Sequence, residues 1–168
     1  MCPLSYVIRQ HLYDINSDLS VPTQVDNTFG ACGYWCPVIE HGVDIVVHSA
    51  TKWLGGHGTT VGGVIIDSGR FDWGKSADRF PHLTKPSGGP MAFSYWSNFG
   101  SVAFAMALRI EVVMEVGSVM NPFAAQQILL GIETLTLRCD RIASNALTIA
   151  QFMSSHSLID WIDYPGEC

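Results

Sequence analysis

A lysine that follows small and hydroxyl residues, with an acid upstream, makes a set of side chains able to hold an aldehyde. Residues 48–55, reading HSATKWLG, supply Lys52 and the hydroxyls of Ser49 and Thr51, and residues 25–29, reading VDNTF, supply Asp26. Lys52 can close a Schiff base on an aldehyde, while Ser49 and Thr51 can donate to a phosphate anchored beside it. Asp26 can pair with a protonated ring nitrogen and keep an aromatic ring electron-withdrawing. Each residue also has an ordinary use: a surface lysine, an acid capping a turn, hydroxyls serving the local backbone at a strand end. Their combination favours the chemical reading, because Lys52 follows an apolar strand and lies among glycines that admit a ligand.

The elements that must position these groups can be read on either side of them. Residues 44–49 are a short β-branched run, as expected of a strand buried on both faces, and deliver Ser49, Thr51 and Lys52 to its C-terminal edge. Residues 20–25 hint at a strand entering Asp26. The glycines at 55–58 predict a turn, and residues 61–66 the next strand, closed by Asp67-Ser68-Gly69. Ligands of open α/β sheets collect at such edges. Residues 80–90 read as a loop. Residues 99–117 are expected to form a buried helix stopped at Gly117. Asn121 and Pro122 make a cap and first-turn pair opening a helix through about Leu130. An amphipathic stretch over 134–155 sets Leu135, Ala143, Leu147 and Ala150 near one face, and residues 159–165 look like a further strand.

Composition narrows the class. The chain has 168 residues, 48% hydrophobic and 14% charged, with a net charge of −6, which fits one globular, acidic domain. No basic stripe exists to neutralise phosphates, so nucleic acid is not an expected partner. The first residues lack a basic segment followed by an apolar run, and Arg109, Glu111 and Glu115 interrupt the longest weakly charged segment, so an intracellular protein without a membrane span is expected. Five cysteines fit reduced thiols. Cys32 and Cys36 have no second ligand pair at zinc spacing, so no metal is expected. His48 and His57 beside the glycine-rich turn read as structural. Arg109, Arg138 and Arg141 are carboxylate binders by chemistry alone. The run from Gly55 to Gly63 fits neither a P-loop nor a GxGxxG fingerprint.

Residues 25–73, VDNTFGACGYWCPVIEHGVDIVVHSATKWLGGHGTTVGGVIIDSGRFDW, resemble the cofactor-lysine region of the Cys/Met-metabolism family of enzymes dependent on pyridoxal 5′-phosphate (PLP), and most of all its O-acetylhomoserine sulfhydrylase branch. A second stretch, with NPFAA at 121–125, GIETL at 131–135 and RIASNA at 141–146, resembles the helical segment leading from that family's large domain toward its C-terminal domain. The resemblance implies an α/β fold, part of an aspartate-aminotransferase-like large domain with a mainly parallel sheet and flanking helices, the C-terminal domain missing. It divides the chain into a divergent N-terminal segment (1–24), a partial PLP-binding large domain (25–120), and linking helices with the start of a truncated C-terminal domain (121–168).

The resemblance also assigns roles. Lys52 is the catalytic residue, and Lys52, Asp26, Ser49 and Thr51 bind PLP, with burial and a nearby cationic ring making the neutral amine of Lys52 available as a base. The implied reaction is transfer of sulfide to O-acetylhomoserine in methionine or cysteine biosynthesis, giving homocysteine and acetate. Cystathionine γ-synthase, methionine γ-lyase and the cystathionine lyases share the lysine motif and are the rivals within the class. Full-length relatives are expected to be cytoplasmic homo-oligomers. The family's phosphate loop and stacking aromatic have no match before Val25, and its substrate-carboxylate Arg lies in the C-terminal domain. The alternative is therefore an inactive truncated fragment that at most binds PLP or pairs with a full-length relative, with apolar surface left open and poor solubility.

Overall fold

The sheet forms where the chain is richest in β-branched residues. The computed structural model describes residues 20–86 and 92–165. Strands β1 (Gln24–Asp26), β2 (Ile45–Ser49) and β3 (Gly63–Asp67) make a three-stranded sheet in the order β1-β2-β3. β2 is central, with Ile45, Val46 and His48 buried, as its apolar run predicts. β1 pairs with it in parallel, Gln24 opposite Ile45 and Asp26 opposite Val47. β3 pairs antiparallel, Ile45 opposite Asp67 and Ser49 opposite Gly63. The sheet is thus mixed, parallel at the pair that carries Asp26 and Ser49. Residues 50–62 hold one helical turn and no crossover helix, so β3 has to return antiparallel.

Polar and apolar contacts fix the strands. The backbone N–H of Thr23 donates to Asp44 Oδ2 at 2.9 Å and its hydroxyl to the same oxygen at 3.1 Å, all of it buried. Val38, Val43 and Val46 pack together beneath this tie. On the far side Ile45 joins Trp73, Leu83, Tyr95, Ala103 and Ala107, with Trp73 stacked on Phe104 at a centroid distance of 5.6 Å. Three short helices build that side: α1 (Pro81–Thr84), α2 (Tyr95–Phe99) and α3 (Ala103–Ala107). α1 replaces part of the loop expected over 80–90, because Pro81 sits in its first turn, where its missing N–H costs nothing. Ser94 caps α2 by accepting from the Ser97 N–H at 3.2 Å.

The helix expected from residue 99 begins earlier, at Tyr95, and is broken at Gly100–Val102 before α3. It continues as a wider helix of i→i+5 bonding over Leu108–Val116 and ends at Gly117, whose φ of 77° is the left-handed stop the sequence predicts. The expected burial is not found at its end: Met114 and Val116 are 74% and 73% exposed.

The last elements are α4 (Pro122–Glu133) and α5 (Leu135–Ser154), separated by Thr134 alone. Asn121 Oδ1 accepts from the Phe123 N–H at 2.8 Å, the expected cap, and α4 runs three residues past Leu130. In α5 the buried positions are Cys139 and Ala150, while Leu135 and Ala143 are half-buried and Leu147 is exposed, so the predicted face is only partly the packed one. Residues 159–165 form no strand: a strand needs a hydrogen-bonded neighbour, and no strand reaches them among the described residues. No helix among those residues is long and apolar enough to cross a membrane.

α4 touches the turn after β2 through Gly131. A Cβ there would fall inside contact distance of the Gly55 carbonyl and 2.6 Å from the Leu54 oxygen. Gly131→Ala is therefore expected to lower stability, although Gly-to-Ala in a helix ordinarily gains about 1 kcal/mol. Overpacking against backbone reverses that sign by about 1–3 kcal/mol, and urea unfolding measures it. A second expectation concerns exposed apolar side chains on the two long helices, among them Phe123, Leu129, Leu137 and Phe152. Sedimentation velocity should show concentration-dependent self-association; a single monomer boundary at all concentrations would contradict it.

Candidate active site at the C-terminal edge of the sheet

β1 and β2 end on the same side because they run parallel, and the chain leaves each through a tight turn. After β2, residues Ala50–Leu54 make one wide helical turn, closed by Gly55 N–H to Ala50 O at 2.9 Å and Gly56 N–H to Lys52 O at 2.8 Å. Ala50 and Leu54, four residues apart, share a buried face packed on Ile128 of α4. Lys52 lies between them on the opposite face and is exposed. Its expected burial is thus not what the structure holds, because the turn's inner face is filled by its two apolar neighbours. Trp53 meets Trp35 edge to face at 4.7 Å and closes one flank.

Asp26, Ser49 and Lys52 line one cleft of about 750 Å³, together with Thr28, Trp53 and Arg138. Asp26 and Lys52 stand 26 positions apart in the chain, so the fold brings together what the sequence holds apart. Ser49 Oγ and Lys52 Nζ make no hydrogen bond among the described residues, and so are open to a ligand. Thr51 is tied to the backbone of Gly62. Its hydroxyl donates to Gly62 O at 3.2 Å and accepts from the Gly62 N–H at 3.0 Å. Its one proton therefore serves the local backbone. His48, buried, sets Nδ1 3.0 Å from the Asn27 carbonyl, in keeping with a structural role.

Thr28, outside the expected site, joins its two halves. Its hydroxyl donates to Asp26 Oδ1 at 2.6 Å and accepts from the Ser49 N–H at 2.8 Å. Its backbone N–H also donates to Asp26 Oδ1, at 3.0 Å. The Thr28 hydroxyl first, and then this N–H, hold the Asp26 carboxyl below the usual carboxylate range. Oδ2 keeps its lone pairs for a donor in the cleft. The Asp-x-Thr spacing, a common turn pattern, was the available signal for this residue.

The outer wall comes from α5. Arg138 lines the cleft, whereas Arg109 lines a separate one along β3. Arg141 lines neither. The Tyr34 hydroxyl donates to Asp140 Oδ1 at 2.6 Å, joining the segment after β1 to α5 across 106 residues.

The role of Thr28 is open to titration. Thr28→Val should move the Asp26 carboxyl upward toward its ordinary range, as followed by carboxyl carbon NMR. Because the folded pKa is depressed, the stabilisation it reflects is present above the unfolded value and lost as pH falls through the folded one. The variant should lack that component of acid sensitivity. An unmoved Asp26 titration would dismiss the Thr28 bonds as its cause.

Comparison with known proteins gives the chain's family and fold. The family model described as Cys/Met metabolism PLP-dependent enzyme matches residues 8–167. A sulfhydrylase from Gibberella moniliformis is 52% identical over 146 residues, covering 87% of this chain and 34% of its own length. The homocysteine synthase of Schizosaccharomyces pombe is 45% identical over 157 residues, covering 94% of this chain and 37% of its own. Among solved structures, one described as an O-acetylhomoserine (thiol)-lyase from Campylobacter jejuni, with a pyridoxyl-lysine monophosphate, superposes with a TM-score of 0.81 at 26% identity, covering 95% of this chain and 38% of that one. The O-acetylhomoserine sulfhydrylase of Wolinella succinogenes gives 0.72 at 32% identity, covering 92% and 40%. The chain spans about a third of the length of the curated relatives it matches. With the family model covering nearly all of it, and a lysine, an acid and a hydroxyl gathered at one sheet edge, the chain belongs to the Cys/Met metabolism family of PLP-dependent enzymes.

Proposed function

We propose that this chain holds PLP at the cleft between β1 and β2 and serves transfer of sulfide to O-acetylhomoserine, giving homocysteine and acetate. The observation that carries the reading is the convergence of Lys52, Asp26 and Ser49 on one cleft. That donor set suits the cofactor: an open amine for its aldehyde, an acceptor oxygen on Asp26 for its protonated ring nitrogen, and a Ser49 hydroxyl for its phosphate. The volume of about 750 Å³ is in the range that takes a small molecule. Thr51 can add to the phosphate only by releasing Gly62. The names of the relatives, homocysteine synthase and O-acetyl-L-homoserine sulfhydrylase, favour the sulfhydrylase reaction over cystathionine chemistry.

When bound, PLP supplies an electron sink for carbanion chemistry next to the substrate nitrogen. The protein's part is to hold and to move protons. Lys52 Nζ would hold the cofactor and, once the substrate's amine takes its place, would carry the protons from Cα and then Cβ whose loss lets acetate leave Cγ, returning them after sulfide adds there. Asp26 keeps the ring nitrogen protonated, which its lowered pKa favours by keeping the carboxylate ionised. Residues 25–120 belong in this reading to the cofactor domain, and residues 121–168 to linking helices and the start of the next. The partners are small molecules, with assembly into homo-oligomers and a cytoplasmic location proposed as for full-length relatives.

A second reading is a chain that binds PLP, or pairs with a full-length relative, without turnover. The exposure of both Asp26 and Lys52 favours it. One experiment separates the two. The chain is mixed with PLP, its spectrum recorded, and borohydride added, for wild type and Lys52→Ala. Covalent label in the wild type alone is expected, and homocysteine released from O-acetylhomoserine and sulfide then marks the enzyme. Label without homocysteine leaves the binding reading. No label in folded wild type would refute the site.

A further inference from the structure

Arg138 makes a set of contacts that its position on a largely exposed helix does not require. Its Nη2 donates to Gly131 O at 2.7 Å and to Leu54 O at 3.4 Å, and its Nε to Thr134 Oγ1 at 3.2 Å. The two carbonyls belong to different elements. Gly131 lies in the last turn of α4, and Leu54 ends the wide turn that carries Lys52. Gly131 O also accepts from the Thr134 N–H at 3.3 Å and the Thr134 hydroxyl at 3.4 Å; the guanidinium adds a shorter, charged donor, which satisfies a helix-end carbonyl better than neutral ones do.

The backbone around the guanidinium is cut to receive it. Arg138 packs on Gly56 so closely that a Cβ there would sit 2.7 Å from Nη2 and nearer still to Nη1. Gly131 similarly brings α4 against Gly55 and Leu54 without a side chain between them. Thus the segment just after Lys52 is held by apolar packing of Leu54 on Ile128, by glycine-to-backbone contact, and by one guanidinium spanning both. Arg141, one turn further along α5, makes no such contact with the Lys52 turn.

We propose that Arg138 is a positioning residue for Lys52: by spanning the carbonyls of Leu54 and Gly131, it fixes the turn on which the amine stands. The functional meaning rests on the proposed role of Lys52, while the mechanical claim stands apart from it. Neither the lysine nor the cofactor needs to touch Arg138 for its loss to matter. Loosening the turn widens the range of positions that Nζ samples and lowers the fraction of time it faces the cleft correctly.

The test reads the turn directly, without cofactor. The amides of Gly55 and Gly56 close the wide turn, and their hydrogen exchange reports its opening. In Arg138→Met they should exchange about tenfold faster, with the amide of Ile65 in β3 unchanged; the factor corresponds to about 1.4 kcal/mol of local opening. Arg138→Lys, which keeps the charge but not the fork, should recover only part of the protection. If Arg138→Met unfolds, Thr134→Val removes the Nε acceptor together with the hydroxyl's own 3.4 Å bond to Gly131 O, and should give a smaller rise at the same two amides. Unchanged Gly55 and Gly56 exchange in folded Arg138→Met, or in Thr134→Val if the first variant unfolds, would overturn the proposal. A parallel series with PLP and borohydride should show slower labelling of Lys52 in Arg138→Met, while Asn121→Ala, which weakens α4 at its far end, should label at the wild-type rate. If wild type takes no label, the cofactor reading fails and the exchange rates still decide the role of Arg138. Equal labelling of wild type and Arg138→Met would leave Arg138 a packing residue only.

Discussion

Everything chemical in this chain depends on β1 and β2 running in the same direction. Parallel pairing in the register Asp26 opposite Val47 ends both strands on one edge, where the residues that follow can meet. An antiparallel pair would put Asp26 at the far end of β2 from Lys52, roughly 15 Å away at about 3.3 Å per residue. The register is secured at the opposite end. Thr23 donates twice to the buried Asp44 carboxylate, and the Asp44 and Ile45 amides reach back to Thr23 O at 3.2 and 3.0 Å. A slip of one residue would reverse the faces of β1 and break those bonds, about 1–3 kcal/mol for each buried polar group left unpaired.

At the functional end the same ladder is dismantled in a controlled way. The Asn27 N–H still bonds Val47 O at 2.9 Å, as the next rung of a parallel pair would. One step further the Ser49 N–H is received by a side chain, the Thr28 hydroxyl, in place of a backbone carbonyl. That exchange lets the two chains part without orphaning a donor, and the parting makes the cleft. The same hydroxyl gives its proton to Asp26. One threonine thus ends the sheet, orients the acid and keeps it ionised, three tasks that otherwise need separate groups.

The placement of Lys52, Ser49 and Asp26 at one sheet edge was legible in the sequence because each depends on its own strand end: an apolar run, then small and hydroxyl residues, and a turn-forming acid before Asn27. The strand over residues 44–49 and the cap at Asn121 were legible for the same local reason. The pairing of Thr51 with Gly62 was not, since a hydroxyl at a strand end suits a phosphate and a neighbouring carbonyl equally, and Gly62 lies eleven positions away. The burial of Lys52 failed because a glycine-rich setting says nothing about which face of a turn the packed helix takes. Among the described residues, 159–165 have strand composition without a strand to pair with, and the segment ending at Val116 has core composition without a core around its last turn. Both errors came from reading a side-chain pattern as though its partner were guaranteed.

Exposure also limits what the acid can contribute alone. Two charges in water attract roughly fourfold less than at the effective dielectric of a partly covered protein site. Asp26 faces solvent, and its Thr28 bonds lower its pKa without shielding it. In the proposed site an ionised Asp26 can therefore select the protonated ring nitrogen more readily than it can retain the ring. Retention has to come from a bond, which is what an amine offers and a carboxylate does not. A covalent hold is only as well directed as its base, and the base here is five residues whose inner face is apolar and whose outer end is bounded by α4 and α5. The two long helices thus matter to the site less through the wall they add than through the backbone they keep still.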